Sequence, residues 1–274
     1  MGAGEGPADR AGEWPPVGGG EGAADAAGTA SRRGADAVGS RRVVDHPISR
    51  DPGLGARAAE WLAAAERVVV EPRGASTVML VRDGTSGPEV YVQRRVATME
   101  FAPSTVVFPG GGIDPADSAL PLTTPGLAEL AASMGAPVEV AAPYAAAAVR
   151  EVEEECGVRL SVADLRGRAH WVTPEFEPRR YDTWILAAGM PDDQEARGTT
   201  TESDHSAWVR PGDLLARHAA GEVRMLPPTV VSLEQLAQFG SAAGFLADRP
   251  VVAKVLPVLV VGADGRPVLR TEMP

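Results

Sequence analysis

The nine residues REVEEECGV, 150–158, decide the fold class of this chain. Three of their four glutamates, Glu151, Glu154 and Glu155, follow the spacing i, i+3, i+4, so a helix of about 100° per residue places them on one arc. The neighbouring arc is apolar and predicts the buried stripe of that helix: Ala145, Ala148, Val149, Val152 and Cys156. The stretch therefore predicts an amphipathic helix with an acidic face, ending at Gly157.

This acidic face is electrostatically unfavourable in two separate ways. Glu151 faces both other glutamates of the arc, and each like-charged pair costs about 0.2–0.5 kcal/mol. Glu154 and Glu155 also lie in the last turn, where the helix dipole is negative, and only Arg150 offers local relief. A charge run is usually a solvated face. A bound divalent cation such as Mg²⁺ would reverse the sign of all these interactions, because carboxylate oxygens are its preferred ligands.

A glycine loop is the second feature that suits a bound ligand. TVVFPGGG, 105–112, reads as a strand that runs into consecutive glycines. Glycines such as Gly110 and Gly111 let the backbone approach a ligand closely, although such a loop alone is more often just a turn. Asp114 and Asp117 follow it and are either turn residues or further carboxylate ligands.

Composition limits the classes of partner. The chain has 274 residues and a net charge of −11, which argues against a nucleic-acid surface built from clustered Lys and Arg. No window has the roughly 18 apolar residues of a membrane span, and the N-terminus does not resemble a secretory signal. Cys156 is the single cysteine, so a reducing, cytoplasmic location is expected. A homodimer is left open.

The chain divides into two parts. Residues 1–54 are poor in large apolar side chains and predict a disordered tail, and residues 55–274 predict one domain. Strands are predicted in STVMLVRDG and PEVYVQRR as a hairpin, then in TVVFPGGG, RAHWVT, RYDTWILAAG and AWV, and in a C-terminal pair around ADG. Helices are predicted over 55–68, 143–156, 211–221 and 231–240, the last with Ser232 as N-cap. The irregular order of elements predicts an α+β fold.

The helix and the glycine loop resemble the Nudix box, G-x5-E-x7-R-E-U-x-E-E-x-G-U, where U is a bulky aliphatic residue. Seven of its positions are filled in order: Arg150, Glu151, Val152, Glu154, Glu155, Gly157 and Val158. The resemblance implies a mixed-sheet α/β/α sandwich with a loop–helix–loop motif, and hydrolysis of a nucleoside diphosphate linked to another group with Mg²⁺ or Mn²⁺. It implies that the metal ligands are Glu151, Glu154, Glu155 and the backbone at Gly111, that Glu151 and Glu154 are catalytic, and that Arg150 orients a glutamate.

The sequence departs from the box in two places. Arg150 comes 39 residues after Gly111 instead of 14, so about 25 residues, roughly 114–141, are inserted. Within them TPGLAELAASMG predicts a short helix with Thr124 as N-cap and Pro125 at its first position. The box's first glutamate, counted back from Arg150, falls on Ala142, which leaves the number of metal ions open.

An insertion at this place resembles the subgroup that includes the peroxisomal coenzyme A diphosphatase. Three further stretches are similar to that subgroup: RRVATMEFAPSTVVFPGG, WVTPEFEPRRYDTWILAA and MLPPTVVSLEQLA. A pyrophosphate also needs cationic partners, and guanidinium groups pair with phosphate in a bidentate manner. Arg95, Arg179 and Arg180 are the candidates, beside the backbone of Gly110 and Gly111, and each arginine is equally consistent with a surface role.

Three functions are consistent with these features. The first is a coenzyme A or acyl-CoA diphosphatase that releases 3′,5′-ADP and a phosphopantetheine product. The second is a Nudix hydrolase of NADH or ADP-ribose. The third is a degenerate module that binds nucleotide or a protein without hydrolysis, which the absent first glutamate favours. Glu202 is a weak candidate for a general base outside the box.

Overall fold

The computed structural model describes residues 42–48, 52–99, 102–262 and 265–273. Its helices are α1 (Pro52–Ala63), α2 (Leu127–Met134), α3 (Val138–Cys156), α4 (Pro211–Ala219), α5 (Pro227–Leu236) and α6 (Ala242–Ala247), with short 3₁₀ turns at Pro115–Ala119 and Val162–Asp164. Its strands are β1 (Arg42–Pro47), β2 (Arg73–Gly84), β3 (Gly87–Arg95), β4 (Thr105–Val107), β5 (Gly110–Gly112), β6 (Arg166–Val172), β7 (Tyr181–Gly189), β8 (Ser203–Val209), β9 (Arg224–Met225), β10 (Lys254–Val255), β11 (Val258–Val261) and β12 (Pro267–Met273).

A large mixed sheet forms the centre of the fold. Its strands run in the order β10-β6-β7-β2-β3-β4-β9, with β5 added on β2 and β8 on β3. Strand β2 pairs in parallel with the whole of β7 through its residues 73–81. On its other side the first half pairs with the glycine strand β5 and the second half with β3. The fork in β2 therefore leaves the glycines beside the middle of the sheet.

The two faces of this sheet are covered by different helices. In β2, Val78 and Leu80 pack with α2 and α3 in one buried cluster, whereas Met79 and Val81 pack with α5 and α6 in the other. Alternate side chains of a strand point to opposite faces, so β2 contributes to both cores. The result is the α/β/α sandwich with a mixed sheet that the sequence predicted.

A small antiparallel sheet, β1-β12-β11, is separate from the large one, and its strands β11 and β12 are the predicted C-terminal pair. Strand β1 lies within residues 1–54, and α1 crosses residue 54. Residues 1–41 lie outside the described part of the chain. Phe176 of the β6–β7 connection packs with Ile48, Ala58 and Leu269 and joins this sheet to the rest.

The predicted elements are present, but several ends differ. The β2–β3 hairpin closes at Gly84 and Gly87 as expected. The predicted helix 143–156 begins earlier, at Val138, and continues through Pro143. Ser232 is not an N-cap, because α5 begins at Pro227 and buries Ser232 in its interior. In every described segment, no helix is long and apolar enough to cross a membrane.

The segment predicted as an insertion is ordered. It forms the 3₁₀ turn Pro115–Ala119 and α2, whose buried face packs on α3. Thr124 is not its N-cap. That role falls to Gly126, whose φ of 83° suits glycine, while the Thr124 hydroxyl donates to the carbonyl of Pro121 instead. The helix is present where predicted and starts two residues later.

Candidate active site

Helix α3 packs beside the glycine strand β5, and two of its carboxylates contact that strand. The backbone N–H of Gly110 donates to Glu155 Oε2 at 2.9 Å. A Cβ at Gly111 would collide with the carboxylate of Glu151, so any larger residue there would displace that carboxylate from its present position. The structure thus brings Glu151, Glu155, Gly110 and Gly111 together.

Glu154 lies apart from this pair. Its side chain is 57% exposed and is held by the guanidinium of Arg150 at 3.2 Å. Over the described ranges, no group of three or more His, Cys, Asp or Glu side chains is arranged to hold a metal ion. The hard oxygen donors suit Mg²⁺. In their present positions, Glu151 and Glu155 lie against the glycine strand, whereas Glu154 is paired with Arg150.

Arg150 connects the helix to the glycine strand and to the inserted segment. Its Nη1 donates to Glu151 Oε1 at 2.7 Å as well as to Glu154, and its Nη2 donates to the carbonyl of Gly112 at 3.0 Å. Its Nε and Nη2 donate to the two carboxylate oxygens of Asp117 at 3.2 and 2.9 Å. The hydrogen bond to Asp117 is the main reason that the pKa of Arg150 is raised. Arg150 is therefore placed to fix the orientation of Glu151.

Asp117 supplies the carboxylate that Ala142 lacks. It stands six residues after Gly111, which is the spacing at which the box has its first glutamate. Its side chain is buried, and although burial opposes ionisation, the hydrogen bonds from Arg150 and from the Asp114 N–H hold its pKa below the ordinary value. Counting forward from Gly111 would have identified it, whereas counting back from Arg150 led to Ala142. Asp114 itself is exposed and only 3.8 Å from Arg150.

Burial is the largest influence on the pKa of both carboxylates. Burial, together with the charges of Glu151 and Glu202, raises the pKa of Glu155 to about 7, against the N–H of Gly110 and the charge of Arg95. Burial also raises the pKa of Glu151, against the hydrogen bond from Arg150. Arg95 and Glu202 therefore lie within electrostatic reach of the site, on the side of β3 and β8.

Arg180, predicted to bind substrate, has a different position. It is buried, and its Nε and Nη1 donate to the backbone carbonyls of Thr173 and Val70 at 3.0 and 2.7 Å. These bonds close the β6–β7 connection and tie it to the segment before β2. These backbone carbonyls occupy the Arg180 guanidinium and give it a structural role, whereas Arg95 lies near the carboxylates.

The chain is similar to known proteins in sequence and in fold. Residues 137–228 match the family model described as the NUDIX domain. The Caenorhabditis elegans protein named "Putative nudix hydrolase 7" is 23% identical over 201 residues, which is 61% of this chain and 61% of that protein. The crystal structure of a NUDIX hydrolase from Alicyclobacillus acidocaldarius superposes with a TM-score of 0.57 at 25% identity, over 67% of this chain and 99% of that one.

Proposed function

We propose that this chain, whose residues 137–228 match the NUDIX domain model, hydrolyses the diphosphate bond of a nucleoside diphosphate linked to another group, with Mg²⁺ or Mn²⁺. The observation that carries the proposal is the position of two α3 carboxylates against the glycine strand, the partly buried Glu151 and the buried Glu155. Burying like charges side by side is costly unless a cation joins them. This cost supports the interpretation that the site normally binds a cation.

The bound cation would be held by Glu151, Glu154 and Glu155 with the backbone at Gly111. Such an ion activates a water and neutralises charge on the phosphate groups when bound. Glu154 is the most exposed of the three carboxylates, so it is the one free to turn toward a ligand. Arg150 keeps Glu151 in place, and Arg95 offers a positive charge to the diphosphate from the β3 side.

For the substrate we favour coenzyme A or acyl-CoA, with 3′,5′-ADP and a phosphopantetheine compound as products. The support is the resemblance of the stretches that flank the box to the coenzyme A diphosphatase subgroup. RRVATMEFAPSTVVFPGG includes the end of β3, β4 and the start of the glycine strand. WVTPEFEPRRYDTWILAA includes the end of β6, the connection to β7 and most of β7, and MLPPTVVSLEQLA includes the end of β9 and α5. NADH and ADP-ribose are the alternative substrates.

A substrate panel tests the proposal. Purified protein is incubated with coenzyme A, acetyl-CoA, NADH and ADP-ribose in Mg²⁺ or Mn²⁺, and products are identified by chromatography and mass spectrometry. We expect turnover that EDTA abolishes and that Glu154→Gln lowers by at least a hundredfold. Glu153→Gln is the matched control, because Glu153 is exposed on the same helix outside the acidic arc. Metal-independent turnover, or near-normal activity of Glu154→Gln, would contradict the assignment.

One observation favours a second candidate, a nucleotide-binding module without hydrolysis. Within the described parts of the chain, the acidic side chains do not converge as a ready set of three. Calorimetry separates the two functions. A binding module would take up ADP-ribose or coenzyme A with unchanged affinity in EDTA and would leave both intact, whereas the hydrolase requires the cation and consumes the ligand.

A further inference from the structure

A loop between β7 and β8 grips the C-terminal end of α3. We call residues 194–202 the strap. Its backbone N–H groups at Arg197 and Thr199 donate to the carbonyls of Cys156 and Glu155 at 2.9 and 3.0 Å. The hydroxyl of Thr199 donates to the carbonyl of Glu154. These carbonyls belong to the last turn, which lacks partners within the helix, so the strap supplies the missing donors.

The strap is itself fixed at both ends. Gln194 forms a reciprocal pair with the backbone of Arg159, with Oε1 accepting at 2.8 Å and Nε2 donating at 2.9 Å. Ala196 is buried in the core beside α3. At the other end, the carbonyl of Glu202 accepts from the N–H of Val96 at 2.9 Å. The strap therefore enters and leaves the site at defined positions.

These contacts act where the acidic face is least favourable. The free carbonyls of a helix C-terminus carry partial negative charge, and Glu154 and Glu155 belong to the same turn. Three donors on three successive carbonyls offset part of that charge and fix the backbone from which both carboxylates project. A frayed turn would let Glu155 leave the Gly110 N–H. The hydroxyl of Thr199 is the one side-chain donor among the three strap contacts.

We propose that Thr199 is a positioning residue for the site, which holds the Glu154–Glu155 turn of α3 so that both carboxylates face a bound cation. The expected effect on kcat rests on the proposed function. The claim that Thr199 holds the last turn of α3 does not. Thr199 touches no reacting group. It acts through the backbone of the two glutamates, so its loss should lower kcat more than it changes KM.

The test compares three variants of the full chain. Thr199→Val keeps the shape and removes the hydroxyl, Thr199→Ser keeps the hydroxyl and removes the methyl group, and Thr201→Val makes the same change at an exposed strap residue. The first readout is kcat and KM for the best substrate of the panel. The second is hydrogen exchange of the amides in residues 154–159. The third is Mn²⁺ affinity, measured without substrate by titration calorimetry.

For Thr199→Val we expect kcat to fall about tenfold, KM to stay within twofold, amide exchange to accelerate several-fold and Mn²⁺ to bind about tenfold more weakly. Thr199→Ser and Thr201→Val should match the wild type. Unchanged exchange and Mn²⁺ affinity in Thr199→Val would overturn the proposal, and so would a Thr199→Ser variant as impaired as Thr199→Val. If the wild type turns over no substrate, the proposed function is wrong. The amide exchange rates and the Mn²⁺ affinity of the variants still test the positioning role of Thr199.

Discussion

Replacing Glu155 by Gln should make the metal-free protein more stable at high pH while it damages the site. Burial raises the pKa of Glu155 from 4.5 to about 7. One pKa unit corresponds to about 1.4 kcal/mol, so the ionised side chain costs the fold roughly 3 kcal/mol. Glutamine cannot ionise, and its carbonyl oxygen can still accept from the N–H of Gly110. The substitution therefore removes the cost and keeps the hydrogen bond.

The sign of the pH dependence follows from proton linkage. The folded state binds the Glu155 proton more tightly than the unfolded chain does. The contribution of Glu155 to the stability of the wild type is therefore most favourable below pH 4.5, becomes less favourable as the pH rises toward 7, and is constant above that. Glu155→Gln lacks this loss. We expect the free-energy difference between variant and wild type to move in favour of the variant by roughly 2 kcal/mol between pH 5 and pH 8.

Urea unfolding in EDTA, followed by tryptophan fluorescence at pH 5 and pH 8, measures this difference. Glu153→Gln is the control, since Glu153 is exposed on the same helix and should show no such change between the two pH values. A Glu155→Gln variant that gains nothing at pH 8 relative to pH 5 would refute the claim that burial penalises this carboxylate. Activity of the variant with Mg²⁺ should fall at least tenfold, because a neutral amide is a poor ligand for a hard cation.

Three further changes test other parts of the site. Gly111→Ala should lower kcat at least tenfold in the substrate assay, since the added methyl collides with the Glu151 carboxylate, whereas Gly112→Ala has open space and should have little effect. Asp117→Asn should destabilise the protein by roughly 1–3 kcal/mol in urea unfolding and lower kcat, because it removes the charged partner of Arg150. Arg180→Met should destabilise by a similar amount and leave KM unchanged; a raised KM with normal stability would restore Arg180 as a substrate ligand.

The sequence predicted the parts of the site that depend on local periodicity. The spacing of Glu151 and Glu155 places them on one face of any helix. The glycines at 110 and 111 predict that the backbone at the end of a strand can be approached closely. Their meeting depends on the fork in β2, which no local pattern encodes. The α/β/α architecture was predicted because the box resemblance carries it, and the alternating burial along β2 is its physical basis.

Residues whose roles depend on distant partners were missed. Arg180 looked like a phosphate ligand because guanidinium suits phosphate, yet its acceptors include the carbonyl of Val70, 110 residues away in sequence. Thr199 carries no motif, and only its contact with the end of α3 makes it relevant. The predicted N-caps were wrong for a local reason. Thr124 and Ser232 have side chains that are good N-caps, but α2 begins after Gly126 and α5 begins at Pro227.

Without a cation, the three glutamates of the acidic face differ in how well their negative charges are compensated. Glu154 is exposed and pairs with Arg150, so water and one guanidinium suffice. Glu151 is more buried and shares the same guanidinium. Glu155 has one backbone N–H against burial and two neighbouring negative charges. Because the remaining cost concentrates on Glu155 and its neighbour Glu151, a cation of the proposed kind would gain most by binding between them and the glycine strand, and Glu154 would have to leave Arg150 to join them.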